Sequence, residues 1–261
     1  MPIKLGLVGA DGRMGRVVLE SLREPFVLSA AFVSPANPRR GRTAREAGLG
    51  ASDVVLGCAE NADSALAECD VLLSFATPAA DLAFALIAAG LQVPTVIGTT
   101  GHTAEERGRL AAAAGRIPLV LAPNFSVGIA VLHSLLGGVG RLREGFDASI
   151  VEVHHARKRD APSGTALDLA DTLGRAFGAS PGEGGRRIPI VSVRGGGVPG
   201  DHTVIFAGPH EVLRIEHRVL SRGAFAEGAL LAARWAASPR PPGLYSFRDA
   251  LGNAPRGEGR A

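Results

Sequence analysis

The sequence predicts an α/β protein: an N-terminal Rossmann-type doubly wound parallel sheet, then an α+β domain with an open mixed or antiparallel sheet. Three observations predict this. An apolar run, Ile3 to Val8, leads into glycines at 9, 12 and 15 and then a helical pattern. Short apolar, β-branched runs then alternate with helix-spaced segments to about residue 121, as parallel strands joined by crossover helices do. Beyond Ser126 the alternation stops, and strands that alternate polar with apolar residues take over.

The first strand, loop and helix are the most informative. Glycines at Gly9, Gly12 and Gly15 let the backbone turn tightly and come close to a pyrophosphate, which the start of the next helix would hold. The spacing is GxxGxxG, weak as a bare pattern but placed at the first βα turn, where a dinucleotide binds. Val27 to Val33 is the second strand. Its end, Val33-Ser34-Pro35, lacks the acid that commonly takes the adenosine ribose, and Arg39, Arg40 and Arg42 follow. Any of the three could meet a 2′-phosphate or lie in solvent, so the pattern favours NADPH while leaving NADH open.

Strands at Val54 to Leu56, Val71 to Phe75, Thr95 to Ile97 and Leu119 to Leu121 follow, with helices around Asp81 to Ala89 and Ala104 to Ala114. Three of these strands end in loops at the carboxyl edge, where ligands of such sheets bind: Phe75-Ala76-Thr77-Pro78, Gly98-Thr99-Thr100-Gly101 and Ala122-Pro123-Asn124-Phe125. Each also reads as an ordinary turn; three in succession point to a nicotinamide site.

A helix over Ile129 to Leu136 leads to a strand at Ala148 to Val153 and to the densest chemical stretch, from Glu152 to Thr165. Successive strand residues face opposite ways, so His154 and His155 have different tasks. Pro162 sets a turn, and apolar residues from Ala166 to Leu173 follow helical spacing. Ser163 or Thr165 caps that helix, with Asp168 three residues after Thr165 as in a capping box. Its N-terminus, opened by Gly164, attracts an anion such as a carboxylate. Only Lys4 and Lys158 are lysines among 28 basic residues, and a desolvated lysine, unlike arginine, can give up a proton near neutral pH. Alternatively, Arg157-Lys158-Arg159 is a solvated basic run and the histidines are plain strand residues. No metal is expected, because adjacent strand histidines diverge and no HExxH or CxxC spacing accompanies them.

Strands at Ile188 to Arg194, Thr203 to Phe206 and Val212 to Val219 complete the second sheet, with loops at Gly178 to Gly185 and Arg194 to Gly200. A long helix from Ala224 to Ala237 follows. The segment from Leu244 to Leu251 is expected to pack back on the first domain, and residues from Pro255 onward to fray. The expected division is 1–125 with 236–261 for the dinucleotide-binding domain, and 126–235 for the substrate-binding and oligomerisation domain. Few helices cover the second sheet, so a second subunit on its open face, hence a homo-oligomer, is expected.

Composition narrows the function. With 46% hydrophobic residues in 261, a core is easily built, and a net charge of +3 with one Trp and one Tyr offers little to nucleic acid. Cys58 and Cys69 form no redox or disulfide motif and suit a reducing cytoplasm. The N-terminal run lacks a secretory pattern, and the uncharged stretch from Ile117 to Gly140 is broken by Pro123, Asn124 and glycines, so neither export nor a membrane span is expected.

Taken together, the His154-His155-x-x-Lys158-x-Asp160-Ala161-Pro162-Ser163-Gly164-Thr165 segment, the Gly9 to Gly15 loop with Arg13-Met14, Gly98-Thr99-Thr100-Gly101 and Asn124 to Gly128 closely resemble the 4-hydroxy-tetrahydrodipicolinate reductases, from Ile3 to about Leu251. The resemblance implies an NAD(P)H-dependent reduction of a cyclic dicarboxylate, made from pyruvate and aspartate semialdehyde, with loss of water, in the diaminopimelate route to lysine. It implies His154 as acid/base residue and Lys158 as proton donor, without deciding which gives the decisive proton. It further implies His155, Ser163, Gly164 and Thr165 as substrate contacts. Gly9, Ala10, Asp11, Gly12, Arg13, Met14, Gly98, Thr99, Thr100, Ala122, Pro123, Asn124 and Phe125 become cofactor contacts. A homotetramer with hinge closure is also implied. Where the family often has Glu-Arg, this chain has Val33-Ser34. Two rivals remain at this level: a sister amino-acid dehydrogenase on the same architecture, and a non-enzymatic NADP-binding sensor.

Overall fold

A computed structural model describes residues 1–178 and 188–252. Loop residues from 179 and the tail from 253, on which two of the expectations fall, lie outside the described residues. The chain divides into two units, Met1–Phe125 with Phe225–Ala261, and Ser126–Ala224.

In the first unit the elements run β1 (Ile3–Val8), α1 (Arg13–Ser21), β2 (Phe26–Phe32), β3 (Leu56–Gly57), α2 (Asp63–Ala67), β4 (Val71–Ser74), α3 (Pro78–Leu91), β5 (Thr95–Ile97), α4 (Ala104–Ala114) and β6 (Pro118–Leu121). The second unit contains α5 (Val127–Gly137), β7 (Asp147–His154), α6 (Gly164–Ala176), β8 (Ile190–Arg194), β9 (Asp201–Ala207) and β10 (Val212–Arg218). The chain then runs through α7 (Gly223–Ala237), β11 (Gly243–Tyr245) and α8 (Phe247–Ala250).

The first sheet has the order β11-β6-β5-β4-β1-β2-β3 with every pairing parallel. Its strands read as unbroken apolar runs because both faces are covered, and β4 and β5 are buried throughout. The expected third strand is displaced: only Leu56–Gly57 pairs with β2, while Val55 forms an isolated bridge to Thr43 and stays exposed.

The second sheet is mixed, in the order β10-β9-β7-β8, with β8 parallel to β7 and the other pairings antiparallel. Helices α5 and α6 cover one face, where Leu132, Leu136, Leu169 and Leu173 meet Ile150, Val204 and Phe206 in one core. On the opposite face Val191 and Val193 are 55% and 43% exposed.

Helix α7 departs from the expected division. From Phe225 onward it belongs to the first unit rather than the second. Gly228 explains the attachment: a Cβ there would lie 1.8 Å from the Phe125 carbonyl oxygen, so only glycine lets the helix pack this closely. The segment beyond it adds β11 to the edge of the first sheet beside β6, and the Phe247 ring packs against Phe125 with centroids 5.0 Å apart and planes tilted by 60°.

Candidate active site

Two clusters of the expected residues form, one in each unit. In the first, the glycine loop is built for close approach. Gly9 has φ +77°, and a Cβ there would meet the Phe75 carbonyl oxygen at 2.4 Å; at Gly15 it would meet the Gly9 carbonyl oxygen at 2.1 Å. Gly12 begins α1 with no side-chain cap and no acid in the first turn. By contrast, Thr77, Thr103, Ser126 and Ser163 cap α3, α4, α5 and α6 through their hydroxyls. The first N–H groups of α1 are thus left for an anion, which fits a dinucleotide pyrophosphate. Ala10 is buried, Arg13 is exposed and Met14 half-buried.

Of the three arginines after β2, Arg39 stands nearest this loop, its Nη1 3.9 Å from Asp11 Oδ2, which also accepts from Asn37 Nδ2 at 2.5 Å. Arg40 turns away to Cys58 and Glu60. The strand-end loops divide their side chains. The Thr99 hydroxyl is committed internally, accepting from Ala76 N–H and donating to Asp81, whereas Thr100 is exposed. At 122–125, Ala122 and Phe125 are buried and Pro123 is exposed. The Phe125 ring packs between Phe75 and Phe247, so it is not free to face a ligand.

In the second unit the cluster centres on Glu152, which the sequence reading did not single out. Glu152 and His154 lie two residues apart on β7, hence on one face, the face under α6. Glu152 is fully buried and His154 7% exposed. The Glu152 carboxylate accepts a short hydrogen bond from His154 Nδ1 and further bonds from Arg194 Nη2 at 2.7 Å and Ser163 N–H at 3.3 Å. Burial alone would raise its pKa, but the hydrogen bonds, led by Arg194, outweigh it and hold the group down at about 2. With Nδ1 so engaged, Nε2 is the ring nitrogen of His154 left to exchange a proton. Burial lowers the His154 pKa, while Glu152 opposes that shift.

His202 completes the cluster. It pairs with Glu152 across β7 and β9, stands edge-on to His154 with centroids 5.2 Å apart, and has Nε2 3.3 Å from Ser163 Oγ. Burial first, then the neighbouring His154, pushes its pKa down to about 4, so it is neutral near pH 7. Glu152, His154 and His202 offer donor atoms within 4.8 Å of one another. The Arg194 guanidinium already supplies the positive charge at Glu152, which closes the group as a hydrogen-bonded network.

Ser163 is the N-cap of α6, its Oγ accepting from Ala166 N–H at 3.2 Å. Thr165 therefore lies inside the first turn, and Asp168 reaches His133 Nε2 at 3.0 Å instead of closing a capping box. Gly164 is exposed, and nothing lies within 4 Å of where its Cβ would be. His155 leaves the strand with N–H bonded to the Val198 carbonyl, and its buried Nδ1 has no partner among the described residues. Lys158 Nζ is 2.8 Å from Asp160 Oδ2 and its side chain is 22% exposed, while Asp160 is largely exposed. Desolvation is thus partial, and a carboxylate shares the ammonium.

Glu152 was accessible to a period-two argument from His154; Arg194 and His202 were not, because which strands neighbour β7 is not written in local spacing.

Comparison with known proteins agrees with this construction. The family profile described as dihydrodipicolinate reductase, N-terminus, matches residues 3–125, and its C-terminus counterpart matches 128–251. Proteins named 4-hydroxy-tetrahydrodipicolinate reductase are similar over nearly their whole length. That of Rubrobacter xylanophilus is 44% identical over 97% of this chain and 100% of its own, and that of Thiobacillus denitrificans 40% identical over 97% and 99%. Among solved structures, a dipicolinate-bound dihydrodipicolinate reductase from Paenisporosarcina sp. TG-14 has the same fold, with TM-score 0.77 at 23% identity, covering 96% of this chain and 100% of that one. A probable dehydrogenase from Thermotoga maritima shares the fold more distantly, with TM-score 0.64 at 12% identity, covering 96% and 93%. By sequence along its whole length and by fold, the chain belongs to the dihydrodipicolinate reductase family.

Proposed function

We infer that the protein is an NAD(P)H-dependent oxidoreductase that reduces 4-hydroxy-tetrahydrodipicolinate to tetrahydrodipicolinate in the diaminopimelate route to lysine, the activity for which its full-length relatives are named. The observation that carries the reading is the union, on one buried network, of a histidine held by a carboxylate and a helix N-terminus fit for a carboxylate ligand.

A nicotinamide dinucleotide, when bound, would supply the hydride. Its pyrophosphate would be held at the Gly9, Ala10, Asp11, Gly12, Arg13 and Met14 loop, where the turn Gly9 to Gly12 lets it approach and the first N–H groups of α1, from Arg13 and Met14, meet it. Gly98, Thr99, Thr100 and Ala122 to Phe125 line the nicotinamide half, mostly with backbone. NADPH is the preferred form, because Arg39 stands beside the glycine loop and no acid ends β2 to meet a ribose hydroxyl.

In the second unit, His155, Ser163, Gly164 and Thr165 hold the substrate carboxylates, through N–H groups, a hydroxyl and the positive end of the α6 dipole. Reduction of a conjugated C=N/C=C system builds negative charge that an acid must neutralise. Lys158 and His154 supply that proton, with Glu152 keeping Nδ1 of His154 protonated so that Nε2 carries the exchange. Among the described residues no helix is long and apolar enough to cross a membrane. The proposed place of work is the cytoplasm, on the biosynthetic role for which the relatives are named. It is a homotetramer, for which the uncovered face of the second sheet supplies the surface.

The test is cofactor oxidation with substrate generated fresh by the synthase that condenses pyruvate with aspartate semialdehyde. Turnover faster with NADPH than NADH, by about tenfold or more in kcat/KM, is expected. Cofactor binding without turnover of this dicarboxylate would overturn the assignment in favour of a sister dehydrogenase or a sensor.

A further inference from the structure

In the first unit a carboxylate sits where packing asks for none. Helix α3 covers the parallel sheet with Leu82, Phe84, Ala85, Ala88 and Ala89, and within that face stands Asp81, its side chain entirely buried. An apolar residue would serve such a face at less cost, since a buried carboxylate is tolerated only when donors surround it.

Three donors do. Ser74 Oγ donates at 2.5 Å and Thr99 Oγ1 at 3.1 Å to Oδ1, and His102 Nε2 lies 2.8 Å from Oδ2. Burial raises the Asp81 pKa, and these hydrogen bonds oppose the rise. The partners come from separate elements. Ser74 ends β4, Asp81 lies near the start of α3, and Thr99 and His102 belong to the segment between β5 and α4.

The network reaches the backbone of both strand-end loops. Thr99 Oγ1 accepts from Ala76 N–H at 3.0 Å, and the Ser74 carbonyl accepts from Gly98 N–H at 2.9 Å. Gly98 in turn lies against the Phe75 ring, where a Cβ would fall 2.1 Å from Cε1. The loops at 75–78 and 98–101 are therefore one hydrogen-bonded rim with Asp81 as its common acceptor.

We propose that Asp81 is a positioning residue of the cofactor site, a buried acceptor that clamps these two loops into one rigid rim against which the nicotinamide half of the dinucleotide docks. The inference rests on the reading of these loops as the cofactor site. Preorganised loops lower the ordering cost of binding, so losing the clamp weakens cofactor affinity and leaves the hydride step at saturation largely intact.

The experiment compares full-length wild type, D81A and D81N by NADPH fluorescence titration, steady-state kinetics and thermal unfolding. D81A is expected to raise the NADPH dissociation constant about tenfold or more, with kcat at saturating NADPH within about threefold and KM for the dicarboxylate unchanged. D81N, which keeps an acceptor oxygen for Ser74 and Thr99, lies nearer wild type. Should D81A fail to fold, H102L removes one donor and shifts the constant the same way, by about threefold. An NADPH affinity unchanged in D81A, or in H102L where D81A is insoluble, overturns the proposal, whatever the fall in thermal stability. A wild type that binds neither NADPH nor NADH overturns the cofactor-site reading itself, and the two failures are told apart by that one titration.

Discussion

At the scale of single residues, Glu152 does most to define the chemistry. Its carboxylate joins the His154 ring, the Arg194 guanidinium and the cap of α6, so in the proposed reaction its charge serves orientation more than reactivity. E152Q is expected to cut kcat by about 10- to 100-fold, the usual cost of losing such an outer partner, with NADPH affinity unchanged because Glu152 lies in the other unit; steady-state kinetics and a titration check both. His202 makes a second prediction. Its folded pKa of about 4 lies below the ordinary 6.5, so the unfolded chain binds the proton more readily. Its contribution to stability is complete above pH 6.5 and is lost as pH falls toward 4, costing about 2 kcal/mol at pH 5 relative to pH 8. Denaturant unfolding at the two pH values should show this loss in wild type and a smaller one in H202F. That His154 and Ser163 meet on one network was legible in the sequence because a short motif spells them, whereas Lys158 of the same motif pairs with Asp160. Asp81 was not, since a lone acid inside an apolar helix pattern reads as solvent-facing until Ser74, Thr99 and His102 are seen to converge on it.

At the scale of elements, Ile3–Val8, Thr95–Ile97 and Ala104–Ala114 are as the pattern suggests, whereas α3, α5 and α6 run one to three residues further at each end than their apolar spacing. Where the sequence left a choice or misled, competition between partners decides. Of the two residues offered as the cap of α6, Ser163 takes the place, its N–H anchored on Glu152, and the capping box expected of Asp168 fails because Asp168 is drawn to His133. Helix α7 went to the wrong domain in the sequence reading because an alanine-rich helix fits either core, and only the contact at Gly228 decides. G228A should destabilise the chain by roughly 1–3 kcal/mol or more, since the methyl group meets backbone that cannot swing aside. Urea unfolding measures this, and a stability equal to wild type would mean that α7 is not so tightly seated.

At the scale of the molecule there are two units: a parallel sheet whose carboxyl edge carries glycine and hydroxyl loops, and a mixed sheet that buries the Glu152, His154 and His202 network under α6 while leaving Val191 and Val193 uncovered. Placing two aspartates on that face by V191D/V193D should break the proposed tetramer, read by light scattering as a fall from four chains per particle; a wild-type monomer would contradict the proposed assembly outright. The central claim remains that Lys158 and the Glu152-supported His154 deliver the proton that accompanies hydride transfer. The most direct test is the rate of NADPH oxidation at saturating dicarboxylate for wild type and K158A side by side. The account predicts a loss of roughly two to four orders of magnitude in kcat, the span of a lost general acid. A variant within about twofold of wild type would contradict it and leave Lys158 as no more than the half-buried partner of Asp160.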